Sequence, residues 1–473
     1  IDPGNITPYK ELSGIYQLIG DHETAETVIA LAIEKSPDKS GAYLAQASLF
    51  ENQQKWDLAQ AAYENAWAMT SYSKKSGINL VRFLVKRNDH DTALSVLGQL
   101  EETFGPDSEI SVEFGNIYLA EADWKQALSA FNLAKDLNET ALAGYVGLAK
   151  TYNILGDQES VIDLYRQALE KVNEKSDVYY NLGVLFQNQG DYKEAYQAFQ
   201  EALRIKPMHR ESLLAIEQLN IMLEYPQIDL TDYIHYALET SSEDVFVTIA
   251  KVLQLRGEWP SSLSWIMKAL ESDPYNEETW LFLSDYYQKI GQFEKALEAF
   301  EEANSLQPNS FDAHIAAGSV LVDLGRFDEG KSHFQNAIDI NPGKIEGYAS
   351  LAKVYRLMGE TEASLAAAQE GIAKVPGDYR GYQNLCDLMI EYDPDHYLQA
   401  DEVLQEALVK FPGVASLYMT RGRIYTDLVL AKREKIDALK AQERWSYYWL
   451  NQLLEREETA ETRAQSRVIA TRI

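Results

Sequence analysis

A 34-residue period runs from Gly20 to Gly359 and restricts this chain to a stack of like units. Gly156 and Gly190 stand 34 apart, Gly257, Gly291, Gly325 and Gly359 follow at the same interval, and Gly20 to Gly156 is four periods. A period of this length marks a linear array of supersecondary units, each burying its apolar face against its neighbours. The 473 residues therefore need not divide into several globular domains, because an array has no single core to outgrow.

The spacing inside one unit sets its shape. Tyr179, Leu182, Gly183 and Phe186 fall at offsets 0, 3, 4 and 7, and Ala195, Phe199 and Ala202 at 16, 20 and 23. Each set is one face of a helix, so the unit is a helical hairpin. Gly190 stands where the first helix must turn, a place that favours positive φ. Gly183 and Ala195 are small where two helix backbones approach closely, and Pro207 ends the second helix because its ring cannot continue the hydrogen-bond ladder. The unit from Trp280 repeats this through Leu283, Ser284, Tyr287, Gly291, Ala296, Phe300, Ala303 and Pro308.

These two units resemble the tetratricopeptide repeat, W-x2-L-G-x2-Y followed by A-x3-F and P. The resemblance implies an all-α, right-handed superhelical solenoid of antiparallel hairpins. It also implies that the first helix of each hairpin lines a concave surface where peptides or partner helices bind.

Carried along the chain, the register starts first helices near Thr7, Gly41, Lys75, Glu109, Ala143, Asp177, Glu211, Asp244, Glu278, Asp312, Glu346 and Arg380, with a partial unit after Val414. Residues 6–208 make units one to six, and 243–413 make units eight to twelve. Between them, 209–242 is a degenerate seventh unit without a turn glycine, broken at Pro226, and is expected to bend the array. The twelfth unit carries two extra residues in its turn, within EYDPDHYLQA.

The ends add two expectations. Ile1, Asp2 and Pro3 hold the register of Ile340, Asn341 and Pro342, so residues 1–5 read as the tail of a preceding repeat and the chain as a fragment. In 414–473, the helix carrying Tyr418, Gly422 and Tyr425 leads into a polar helical pattern from Ala431 to Glu458. Trp445, Tyr448, Trp449 and Leu453 recur there at helical spacing, which suits a capping helix over the last hairpin.

Composition narrows the function classes. No run of 18 apolar residues is present to span a bilayer, and the single cysteine, Cys386, has no partner for an internal disulfide. Cys386 takes the small-residue position of Gly183 and Gly318, which suits a packed structural thiol. A cytoplasmic address is expected. The net charge is −30; the segment from Lys432 carries nine basic and seven acidic residues, leaving about −32 on the body. Such a body repels nucleic acid and anionic membrane.

Positive residues within this acidic array are the candidate partner-binding set. Lys75, Asn79, Arg82 and Lys86 share one face of the third unit's first helix, and Lys353, Arg356, Arg380, Arg421 and Arg423 fall in units eleven to thirteen. On the concave face they would favour an acidic segment or a terminal carboxylate. Two subfamilies do not match. The carboxylate clamp is incomplete, with Gly14 and Ala45 at required positions. The asparagine ladder of O-linked N-acetylglucosamine transferases survives only at Asn79, Asn181 and Asn384.

No catalytic motif is present: no H-E-x-x-H, phosphate-binding loop, G-x-S-x-G or cysteine pair occurs, and the seven histidines are scattered. His314 takes an aromatic position of the repeat, and His22, His90 and His396 fall in turns. No cofactor or metal is expected. The leading expectation is a non-catalytic protein-interaction scaffold. The alternatives are the recognition arm of a larger enzyme, such as a glycosyltransferase or peptidase, and a self-assembling structural subunit.

Overall fold

The computed structural model describes residues 5–18, 20–69, 73–392 and 397–426, and every regular element among them is a helix. The helices come in consecutive hairpins: α1 (Thr7–Leu18) and α2 (His22–Lys35), α3 (Lys39–Asn52) and α4 (Trp56–Ala68), α5 (Lys74–Lys86) and α6 (His90–Phe104). Next come α7 (Ser108–Ala120) and α8 (Trp124–Leu137), α9 (Leu142–Leu155) and α10 (Gln158–Lys171), α11 (Lys175–Gln189) and α12 (Tyr192–Ile205). The seventh unit has α13 (Arg210–Met222) and α14 (Thr231–Thr240). Beyond it are α15 (Glu243–Leu255) and α16 (Trp259–Ser272), α17 (Glu277–Lys289) and α18 (Phe293–Leu306), and α19 (Phe311–Asp323) and α20 (Phe327–Ile340). The last full units are α21 (Ile345–Met358) with α22 (Thr361–Lys374), and α23 (Tyr379–Tyr392) with α24 (Tyr397–Lys410). Residues 415–426 are again helical. The first helices begin within two residues of the positions read from the period.

Close packing inside each hairpin depends on the small-residue position. A Cβ on Gly318 would lie 2.5 Å from the Phe334 ring, one on Gly115 equally close to Phe131, and one on Gly183 would overlap Phe199. Where this position has a hydroxyl or thiol, the group is buried and donates back to the second helix. Ser284 Oγ donates to Ala296 O at 2.8 Å, and the Cys386 thiol points at Ala400 O at 3.5 Å. Cys386 has no exposed surface, and burial pushes its pKa well above the ordinary thiol value, so it is an inert packing residue.

The intra-hairpin turns also follow one plan. The turn residue has positive φ, and an Asp after it often caps the second helix, as where Asp157 accepts from Ser160 N at 3.1 Å. Glycine fills the positive-φ site at eight turns or caps, but Gln54, Asn88, Ala122 and Glu224 hold it with φ of 55–61°. These four are in register with Gly20 and Gly156, so the period continues through turns where no glycine marks it.

The seventh unit departs from the plan. Residues 223–230 run without helix between α13 and α14, and α13 packs directly on α15. Glu217 takes the place of the small residue and is fully buried. It accepts from Arg256 Nε at 2.7 Å and from Ile228 N at 3.2 Å, while Arg256 Nη2 donates to Ile228 O at 2.7 Å. One buried ion pair thus ties the irregular stretch to the next unit. Residues 1–4 of the expected N-terminal tail at 1–5 and the cap from Ala431 lie outside the described residues, as does part of the twelfth unit's turn, including His396.

Candidate partner-binding surface

The first helices of successive units face one another, and long charged side chains on them bridge from unit to unit. Lys86 Nζ reaches back to Glu51 Oε2 at 3.2 Å, and Arg82 reaches forward to Glu113 at 2.7 Å and Glu109 at 3.4 Å. Arg356 meets Glu391 at 2.6 Å, Arg380 meets Glu346 at 2.7 Å and Asp378 at 2.5 Å, and Arg423 pairs with Asp387. Most of these partners lie about one period away, so the period itself aligns the charges.

The nine basic and amide candidates therefore divide. Arg82, Lys86, Arg356, Arg380 and Arg423 already have carboxylate partners. Arg421 turns to the second helix of the preceding unit, where Asp401 accepts at 2.7 Å. Lys75 and Lys353 are exposed and in no ion pair among the described residues, and Asn79 is half-buried.

Lys353 and Arg356 line an open depression of about 410 Å3 on α21 and α23, with Ser350, Asn384, Asp387 and Glu391. Burial raises the pKa of the Asp387 carboxyl, and the neighbouring Arg423 opposes that rise. Arg380 is held above its ordinary pKa mainly by its hydrogen bonds to Asp378.

A second cluster was not among the sequence candidates. Arg210 on α13 reaches Glu278 on α17 at 3.2 Å, two units away, and Lys251 on α15 approaches the same carboxylate at 3.8 Å. Lys251 also lies over the Phe282 ring at 5.1 Å, and burial lowers its pKa. A two-unit reach means the inner surface is tightly curved here. The sequence signal was there to find, because Lys251 stands three periods before Lys353 and Arg210 four periods after Lys74.

Among the described residues no group of three His, Cys, Asp or Glu is placed to hold a metal, and no helix is long and apolar enough to cross a membrane. His314 packs against Phe300, as an aromatic position should. His90 begins α6 and faces Glu121 of the next unit at 3.4 Å.

Consecutive hairpins of this form define a helical-repeat solenoid. The fold is that of a tetratricopeptide-repeat solenoid, and residues 176–209, 277–310 and 311–344 each match models of the tetratricopeptide repeat. It is similar to the protein O-mannosyl-transferase TMTC1 of Homo sapiens, 28% identical over 35% of this chain and 19% of that protein. It is also similar to the BBSome complex member BBS4 of Bos taurus, 26% identical over 29% of this chain and 26% of that one. The TPR repeat-containing protein MJ1428 of Methanocaldococcus jannaschii is 21% identical over 47% of this chain and 42% of its own length. The chain thus spans under half the length of these curated relatives. The crystal structure of MamA protein aligns with 36% of this chain and 91% of that one, at 26% identity and a TM-score of 0.29.

Proposed function

We propose that the chain is a non-catalytic scaffold whose concave face holds a segment of a partner protein, in a cytoplasmic setting. The observation that carries this is the depression on α21 and α23. Lys353 and Asn384 there make no hydrogen bond or ion pair among the described residues, while the charges around them are compensated. An ammonium and a carboxamide side by side suit a carboxylate of an extended acidic segment. The paired arginines set the shape of the surface and contribute little free charge.

The test is site-specific photo-crosslinking on the full chain. A crosslinker at Ser350 should capture a stoichiometric partner, and Lys353→Glu should abolish that capture. A crosslinker at exposed Tyr192, on a second helix, should capture none. Equal capture at both positions, or none lost on charge reversal, would remove the concave face from the reading.

A second reading, the recognition arm of a larger enzyme, draws on the similarity to a protein named as a transferase. It is separated from the first by assaying the longest natural form of the protein for glycosyl transfer with and without Lys353→Glu. Transfer that depends on Lys353 favours the enzyme arm.

A further inference from the structure

The array curls until it meets itself. Gln54, in the turn of the second unit, donates from Nε2 to Asn309 Oδ1 at 2.7 Å, across 255 residues or seven and a half periods of 34. Asn309 Nδ2 returns a bond to Glu51 O at 3.4 Å.

The next three turns of the near coil, each one period further on, do the same. Arg87 donates to Asp339 O and, at 3.3 Å, to Ile340 O, and its guanidinium lies 4.4 Å over the Trp56 ring. Gly377 N donates to Ala120 O at 2.9 Å. Gly413 N donates to Ile154 O at 2.8 Å, beside Trp124, whose Nε1 donates to Lys410 O at 2.7 Å and whose ring packs on Phe411 at 5.5 Å.

Three further features mark these four rungs as built. The first is backbone strain: Gln54, Asn88 and Ala122, three of the five non-glycine residues at positive φ, stand in three of the four turns that meet the far coil. L-residues pay for that conformation, and here the turn's partner lies across the seam. The second is clearance. A Cβ on Gly377 would overlap Leu119 O, and one on Gly413 would overlap Asn153 O, although neither glycine has positive φ. Glycine is needed there only because another coil presses on it.

The third is that the register stops cleanly. One period before Gln54 and Asn309 lie Gly20 and Tyr275. Gly20 has open space around it, Tyr275 is 74% exposed, and a cleft of about 550 Å3 separates the coils, lined by Gly14, Ile15, His22, Leu306 and Pro308 among others.

We propose that this seam is a latch. It holds successive coils of the solenoid in contact from the second to the fifth unit, and it opens from the cleft at the first unit. Each rung is a few hydrogen bonds between surface loops, whereas each hairpin is held by a buried core, so the latch opens at far lower free energy than a unit unfolds. Opening lengthens the coil and widens the concave surface, so a partner that needs a wider groove must compete with the rungs. This holds whichever segment the concave face takes.

Amide hydrogen exchange on the full chain tests it. The Gly377 and Gly413 amides sit in loops and have no local acceptor, so in the latched coil they exchange at least tenfold slower than an unbonded loop amide. Arg87→Ala with Trp124→Ala removes rungs without touching either amide. It should return both amides to loop rates and increase the maximum dimension in solution scattering, with helix content unchanged by circular dichroism. Loop-rate exchange in the unmodified chain, or protection and dimensions unchanged in the variant, overturns the latch. If that variant loses helix, Gln54→Ala, which cuts only an exposed side-chain bond, is read in the same way.

Discussion

Glu217 is wholly out of solvent, yet its carboxylate lies 2.7 Å from Arg256 Nε and holds the amide of Ile228 with its other oxygen. A charge at the small-residue position is tolerated because the seventh unit's second helix is displaced, and Arg256 enters from the next unit. Removing one partner of a buried pair leaves the other uncompensated. Arg256→Ala is expected to cost about 3–5 kcal/mol, measured by denaturant unfolding. Replacing both, as Glu217→Ala with Arg256→Leu, should recover much of that loss.

The small-residue position makes a size prediction. Gly183→Val and Gly318→Val push side chains into Phe199 and Phe334, rings already in contact range. Each should lower stability by about 1–3 kcal/mol, read as a fall in melting temperature, whereas Gly98→Ala, with open space around it, should leave the melting temperature unchanged or raise it.

Turn chemistry predicts a gain and a loss. Ala122 holds φ at 60° and Gly359 at 79°. Ala122→Gly relieves left-handed strain and should stabilise by about 1 kcal/mol, and Gly359→Ala should destabilise by a similar amount. Urea midpoints of the two variants would show shifts of opposite sign.

His314 and His333 place their Nδ1 atoms 2.9 Å apart next to Phe300. Burial, and then the charge His333 would carry, lower the His314 pKa to about 4, and burial also lowers that of His333. Glu329 faces His333 and opposes its shift. A group whose folded pKa lies below its unfolded value weakens folding when the unfolded chain takes up the proton first. Stability from this pair is therefore full above about pH 6.5 and declines as pH falls towards about 4. His314→Phe should flatten that part of the stability profile, seen in thermal melts between pH 7 and pH 4.

Arg356 and Glu391 are partly exposed, and such pairs contribute about 0–1 kcal/mol. Arg356→Ala should leave the melting temperature within a few degrees of the parent. Any large fall in partner capture by that variant is then a change in the surface and not in the fold.

The hairpins, their starts and the packing glycines were legible because helix period and close approach both act within one unit. Turns at Gln54, Asn88 and Ala122 carried no glycine, and only the count of 34 located them. The candidate site was harder to read. Lys86 and Arg82 lie on one helix face in sequence, but their charges are answered by Glu51 and Glu113 on neighbouring units, information that no single helix holds. Arg210 and Lys251 stand on the period, but they share Glu278 only because the array curves, which the period alone does not show. The contacts between Ala120 and Gly377 depend on curvature summed over seven and a half units, which local patterns do not encode.

Every rung of the seam joins an intra-hairpin turn on one coil to an inter-hairpin junction on the other. The solenoid is thus a ribbon with two unlike borders that fit each other. Within one chain the covalent link keeps the borders at high effective concentration, so closure onto itself is favoured over pairing with a neighbour. A chain held open would offer the same borders outward, one of each kind, and two such chains would join head to tail in the geometry that grows fibres and not closed dimers. Self-closure thus withdraws the turns of units two to five, and the junctions they meet, from pairing with a neighbouring chain.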